Sequence, residues 1–496
     1  MNLKQHFGKS SLWMSIAASG SSLVSFMIFV LLSRLLSPED IGLIGFAIIL
    51  IELGKILVTA GLPQAIIRES DWDETRANTS FYLSVFFSLG VSLAAYTLAA
   101  PIVAELYDPR MHTILQVLSV IYLLEGIKIV HEAKIRREFL FRSLAIRTLL
   151  SGLISGIVAV VMAFNGFGVW SLVWQQIINQ ILITVLTLNT VRWWPGLHFS
   201  IPEAKKLLGF STPLTIAQLI NNLASKAYEL LVGVLIGPAA LGFFRVGGRA
   251  LYIVQDIVIK PFEKTFLPAL AQMNSQEQRA TGTLRLIRLT AYFCFPIFFG
   301  AAAIGPEFIT LAFTDKWTES GHVMTLLALG IPPLVVGYQV NTALTASGHS
   351  GLVMFLAVLA LVLNLALGVL LVSYGIFAAA AGFALRTYLS CAVEMILFKR
   401  IFAIDVIRQV RNVAPSFCAA VIMFGVLLLL KKYLPDDIHL AIRLLFIAGA
   451  GAVIYTTLMS CIFRGETRFF LAESSSLAPA KAKPAINKLQ RFLRLA

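Results

Sequence analysis

The sequence predicts an all-α integral membrane protein of about fourteen transmembrane helices, built as two six-helix lobes in a parallel pseudo-twofold repeat with two further C-terminal helices. Three observations predict it. Hydrophobic residues make up 58% of the 496 positions and charged ones 13%, with a mean hydropathy of +0.83. The apolar residues come in runs of about twenty, the length needed to cross a hydrocarbon core ~30 Å thick at ~1.5 Å per residue. Two turns at the start of the proposed halves stand 200 positions apart: Ser37-Pro38-Glu39-Asp40-Ile41-Gly42 and Gly237-Pro238-Ala239-Ala240-Leu241-Gly242.

Taken in order, the spans fall near 10–36, 40–61, 78–104, 111–133, 142–164, 167–190, 210–236, 239–267, 284–305, 321–346, 350–373, 376–398, 412–430 and 438–462. Lys4 and Lys9 ahead of the first run imitate a signal peptide, but the run continues through Leu36, too long for that role, and is read as an uncleaved span. Basic residues cluster in alternate connections: Arg68 and Arg76, then Lys134, Arg136 and Arg137, then Arg192, Lys205 and Lys206, then Arg279 and Arg285, and finally Lys399 to Arg411 and the tail. By the positive-inside rule these connections and both termini are cytoplasmic. The formal charge of +14 follows this topology rather than forming a phosphate-tracking groove, so no nucleic-acid partner is expected. Cys294, Cys391, Cys418 and Cys461 lie inside apolar runs without a CxxC and are read as packing residues.

Six spans separate the two copies of the turn, an even number, so the halves keep one orientation, as in a parallel repeat about an axis along the membrane normal. The divisions are 1–190 for the first lobe, 191–209 for a cytoplasmic linker, 210–400 for the second lobe, 401–462 for the last two spans and 463–496 for a basic tail. Trp193 and Trp194 in the linker suit the membrane interface. The tail's Ile486, Leu489 and Leu493 fall on one face of a surface-lying helix.

The eighth span is unusual. Arg245, Arg249, Tyr252, Asp256, Lys260 and Glu263 recur at helical spacing on one stripe. From Arg245 to Lys260 the stripe covers roughly 22 Å, most of a membrane. A charge at that depth costs at least ~2.5 kcal/mol, so the stripe is expected to face a bundle interior or a water-filled cavity. Neither arginine has an acid within a turn on its own stripe. Two forked guanidiniums one turn apart match a phosphate or diphosphate. Lys55 in the second span and Lys226 in the seventh are candidate partners in that task. Asp256 and Glu52 are candidates for proton or sodium coupling, since a carboxyl in a poorly hydrated cavity can take up a proton when a cation leaves. Tyr252, Lys260 and Glu229 complete the expected cavity lining. Glu52 with Lys55, Glu125 with Lys128, and Lys226 with Glu229 are each spaced by three, so each pair can neutralise itself along one helix. Tyr338, Gln339 and Asn341, like Gln175, Gln176 and Asn179, offer a polar route for sugar hydroxyls or bonds between helices. Pro261 and Ser19-Gly20-Ser21-Ser22 are expected bending points.

The fourteen spans, the turn after the first helix, Pro195-Gly196-Leu197-His198-Phe199-Ser200 and Asp315-Lys316-Trp317 together resemble Wzx-type flippases. These form the polysaccharide-transport branch of the multidrug/oligosaccharidyl-lipid/polysaccharide superfamily, and the colanic-acid-exporter-like group is the most similar. The resemblance implies a fold like that of the multidrug (MATE) and peptidoglycan-precursor (MurJ) transporters. It implies movement of an undecaprenyl-diphosphate-linked oligosaccharide to the periplasmic leaflet of a bacterial inner membrane, with a polymerase and export machinery as pathway partners and no cofactor. In the related peptidoglycan-precursor flippases, cavity arginines come from the first, second and eighth helices. Here the eighth supplies Arg245 and Arg249, the second offers Lys55, and the first has only Arg34 near its outer end.

Two other functions compete. A membrane polymerase or ligase needs a sizeable outer loop carrying acid, base and arginines, and the longest outer connection, Glu307 to Glu319, is too short. A drug/cation antiporter of the same superfamily calls for an acid-dominated cavity, whereas the eighth span is dominated by bases.

Overall fold

The computed structural model describes residues 20, 22–68, 72–435 and 438–477, and among them every regular element is a helix. Residues 10–19 and the amphipathic stretch of the tail lie outside the described residues, as do Ser19 and Ser21 of the expected first bend and the side chains of Lys260 and Glu263. Eleven described helices are long and apolar enough to cross a membrane, and one bent pair, Asp315–Leu329 with Ile331–Ala346, raises the number to twelve. The expected first span is represented by Ser22–Leu35. The expected eighth does not pass this test, because Arg245, Arg249 and Asp256 depress its hydropathy.

The chain divides into two compact units, Met1–Arg245 and Val246–Ala496. The first contains α1 (Ser22–Leu35), α2 (Pro38–Thr59), α3 (Leu62–Arg68), α4 (Glu74–Ala94), α5 (Ala100–Leu106), α6 (Met111–Leu118), α7 (Val120–Arg137), α8 (Phe141–Phe164), α9 (Val169–Thr190) and α10 (Ile201–Ile236). Its central rod is α2, which packs against α4, α7, α9 and α10. The rod begins at a capping box. Ser37 Oγ accepts from the Asp40 amide at 3.1 Å, the Asp40 carboxylate accepts from the Ser37 amide at 3.2 Å, and Pro38 supplies the first helical residue. It ends at Ala60 and Gly61, both with positive φ, which turn the chain into α3.

The repeated turn is written into the packing. A Cβ on Gly42 would run into the carbonyl of Pro238, and one on Gly242 into the carbonyl of Pro38. The two turns therefore meet reciprocally, position 42 on 238 and 242 on 38, and only glycine permits that approach.

The interlobe linker is tied down. Trp193, expected at the membrane interface, is only 6% exposed and packs with Ile66, Ala77, Val130 and Ile135, while Trp194 is exposed. Glu74 holds Trp193 in place, accepting from its indole N–H and from that of Trp72, both at 2.8 Å. From Ile201 onward the linker is already α10.

α11 (Pro238–Val258) contains the boundary between the units. The eighth span is interrupted at Ile259, whose backbone stays in the helical region with its N–H bonded to the Gln255 carbonyl at 2.8 Å, and continues as α12 (Lys260–Ala271). Pro261, expected as a bending point, follows two residues later.

The second unit continues with α13 (Gln276–Phe313), α14 (Thr318–Leu329), α15 (Ile331–Ala346), α16 (Ser350–Val372), α17 (Ile376–Phe402), α18 (Val406–Tyr433), α19 (Leu440–Cys461) and α20 (Arg464–Leu477). Here α13 is central, packing on α14, α15, α18 and α19. In this unit the very apolar α16 is mostly exposed, as suits a helix facing lipid, whereas α13 is more than half buried. Cys294 and Cys391 are buried as expected of packing residues, but Cys418 and Cys461 are exposed.

Candidate functional site

Arg245 stands on the first turns of α11. Its Nη1 donates to the carbonyl of Gly45 on α2 at 2.8 Å and lies 3.2 Å from a carboxylate oxygen of Glu229 on α10. The expectation that this guanidinium has no acid to meet is corrected. The acid lies off its stripe on the preceding helix, brought across by the turn at Gly237. Lys226, one turn before Glu229, also approaches it, with Nζ 3.8 Å from Oε1. One carboxylate is thus shared by two cations, and the cluster keeps a net positive charge. Glu229 is buried, with a side chain 8% exposed, while those of Arg245 and Lys226 are 22% and 27% exposed. Gly45 is the repeat counterpart of Arg245, and a Cβ there would collide with the arginine side chain. The repeat is broken at the very position where the cation enters.

Farther along α11, Arg249 and Asp256 are half-buried and Tyr252 is 42% exposed. Arg249, Tyr252 and Asp256 all have interaction partners. Lys260 follows the interruption at Ile259.

A second polar centre lies wholly within the first unit. Lys55 on α2 does not pair with Glu52. It donates to Gln180 Oε1 on α9 at 2.9 Å and approaches Glu125 on α7 at 3.5 Å. Gln180 in turn donates to Glu125 at 2.9 Å. Lys128 bridges Glu125 at 3.0 Å and Glu132 at 3.3 Å. Glu132 also receives Arg136 at 2.7 Å and Arg147 of α8 at 3.4 Å, and Arg147 donates to Thr187 at 2.6 Å. The series alternates in sign along its length, and buried charges survive in a membrane by this kind of pairing.

Beside Lys55 a cavity of about 90 Å³ opens between α2, α6, α7 and α9. Glu52 lines it and is exposed, so the poorly hydrated setting expected for a coupling acid is not found around it. Gln176 and Asn179 line it too, and Gln180 closes its wall. The sequence reading missed Gln180, Glu132 and Arg147. Gln176, Asn179 and Gln180 recur at spacings of three and one, the same helical face, and that signal was available. Of the residues read as a second polar route, Asn341 donates to Glu394 at 3.3 Å, Gln339 is buried and Tyr338 is 37% exposed.

A family described as "polysaccharide biosynthesis protein" matches residues 31–322, more than half of the chain. The succinoglycan biosynthesis transport protein ExoT of Rhizobium meliloti is 23% identical, the match covering 64% of each chain, just under two thirds of that relative's length. The lipopolysaccharide biosynthesis protein WzxC of Escherichia coli is 21% identical over 70% of this chain and 72% of its own. Among solved structures, the lipid II flippase MurJ in an inward closed conformation superposes with a TM-score of 0.75 at 13% identity, covering 92% of this chain and 99% of that one. An inward-facing multidrug resistance MATE transporter gives 0.60 at 14% identity, over 77% and 94%. At these identities the structural likeness speaks for the fold.

Proposed function

Because the chain belongs to the polysaccharide biosynthesis protein family, we propose that it is a flippase that moves undecaprenyl-diphosphate-linked oligosaccharide units from the cytoplasmic to the periplasmic leaflet of a bacterial inner membrane, by alternating access. It is a transporter rather than an enzyme, like the relatives and structural neighbours it matches. The observation that supports this most is the Arg245–Glu229–Lys226 cluster. Two cations share one acid on membrane helices, leaving positive charge for an anion, and the arginine offers donors in a planar fork suited to phosphate oxygens. Arg249, one turn farther along α11, is the second guanidinium we assign to diphosphate binding. A cationic drug would be repelled there, which argues against the antiporter reading. Asp256 is the acid we assign to coupling with a proton or sodium ion. The basic connections support a cytoplasmic location for both termini, and a polymerase and exporter of the same pathway would take the flipped product.

The test is leaflet-resolved glycan translocation in proteoliposomes. A charge-assisted hydrogen bond is worth about 1.5–3 kcal/mol, so Arg245→Gln and Arg249→Ala are each expected to slow translocation by about 10-fold or more, with Arg249→Lys retaining part of the rate. Unchanged transport in both Arg245→Gln and Arg249→Ala, in protein that remains folded in the membrane, would overturn the anionic subsite.

A further inference from the structure

The cavity beside Lys55 does not have the chemistry of a diphosphate site. Lys55 is its one cation, and that charge is already met by Glu125 and Gln180. Glu52 adds a carboxylate to the wall, which would repel a phosphate oxygen. Among the described residues, the side chains of Glu52, Gln176 and Asn179 make no hydrogen bond or ion pair, although each lines the cavity. Glu52 is exposed and Gln176 and Asn179 are half-buried, so these groups are open to water or to a ligand.

What these groups can take is specific. Each amide offers donors and an acceptor on one planar group, and so can bridge two neighbouring hydroxyls, while a carboxylate accepts from two more or from an ammonium. The remaining wall is isoleucine and leucine, a surface on which the C–H face of a sugar ring can rest. A few placed polar groups on an apolar wall is the usual composition of a small-molecule site. At about 90 Å³ the cavity holds several waters, enough to seat one ring edge.

The geometry points to a saccharide subsite in the first unit, with Glu52, Gln176 and Asn179 binding the hydroxyls of one sugar ring, distinct from the anionic subsite at Arg245. Building on the flippase reading, it names the class of ring that fits: neutral or amino sugars, with uronic acids excluded by Glu52. Lys55 and Gln180 hold the wall in shape through Glu125 rather than carrying the phosphate.

The experiment is saturation-transfer NMR on the full chain in phosphatidylglycerol/phosphatidylethanolamine nanodiscs. The probes are glucose, galactose, N-acetylglucosamine, glucosamine, glucuronate and inorganic pyrophosphate. At least one neutral or amino sugar is expected to receive saturation, and glucuronate at least fivefold less. Gln176→Leu and Asn179→Leu remove no internal hydrogen bond, and each is expected to lower the sugar signal at least fivefold without altering pyrophosphate line broadening. The subsite is overturned if no sugar saturates, if both variants bind sugar as the parent does, if glucuronate binds as well as glucose, or if pyrophosphate displaces the sugar. Translocation measured on the same protein separates the two readings. A parent chain that flips lipid-linked glycan while its sugar signal ignores both variants sinks the subsite alone, and a parent chain that flips none sinks the transport reading.

Discussion

In the first unit, Glu125 lies between Lys128 and Lys55, and Glu229 between Arg245 and Lys226. In the second unit, Glu394 is just as deeply buried but receives only the side-chain amide of Asn341, and its carboxylate fills the space that Gly337 leaves open. A bilayer leaves an acid two ways to survive burial, a counter-charge or the absence of charge. Both clusters of the first unit take the former route, and so does Glu307 of the second, whose carboxylate lies 2.7 Å from Lys431. The difference lies at Glu394, an equally buried acid with no ion pair among the described residues.

The largest effect expected is from Glu229→Ala. Removing the acid strands Arg245 and Lys226 against each other, and breaking a buried pair typically costs about 3–5 kcal/mol. Because both cations are partly exposed, the lower end of that range is expected, read as thermal unfolding of the purified protein. A loss below about 1 kcal/mol would mean that the cations do not depend on this acid, and the contrast between the units would weaken. Glu125→Gln should come next, at about 2 kcal/mol. The amide keeps the side-chain volume and an acceptor for Gln180, but Lys128 and Lys55 lose their shared charge.

Gly42→Ala tests the reciprocal turn. The added methyl meets the Pro238 carbonyl, backbone that cannot swing aside, and overpacking of this kind costs about 1–3 kcal/mol. Gly242→Ala should behave alike, because its obstacle is the equivalent carbonyl of Pro38. Matching losses would support the repeat as a physical symmetry, and a loss at one position only would show that the likeness ends at the sequence.

That turn was legible in the sequence because a glycine two hundred positions from a glycine is a local signal, and the contact it serves is backbone on backbone. The helices were legible for the same reason, since lipid imposes a length and a composition on each of them. The acid facing Arg245 was not, because periodicity relates residues along one helix and Glu229 sits on another. The interruption at Ile259 was marked in the sequence by Pro261, two residues on, because a proline removes a helical hydrogen bond. The burial of Trp193 was not legible either, because its indole bond to Glu74 and its packing on Ile66 and Val130 join residues far apart in the sequence. Lys55 was found, but with the wrong partner. Spacing put it one turn from Glu52, and packing turned it toward Glu125 on another helix.

The smallest expected effect sharpens the comparison most. Glu394→Gln keeps the volume that fills the space beside Gly337, and it keeps a carbonyl oxygen where Oε1 accepts from Asn341. No ion pair is lost, because Glu394 has none among the described residues. If Glu394 is held without a counter-charge, the substitution should change stability by less than about 0.5 kcal/mol, the usual range for a change that breaks no buried interaction. Measured beside Glu125→Gln, the same chemical change at similar burial should then differ by about 1.5 kcal/mol between the two units. Equal losses would show that Glu394 is held by a charge interaction after all. In that case Glu394 would join Asp256 as a candidate for ion coupling.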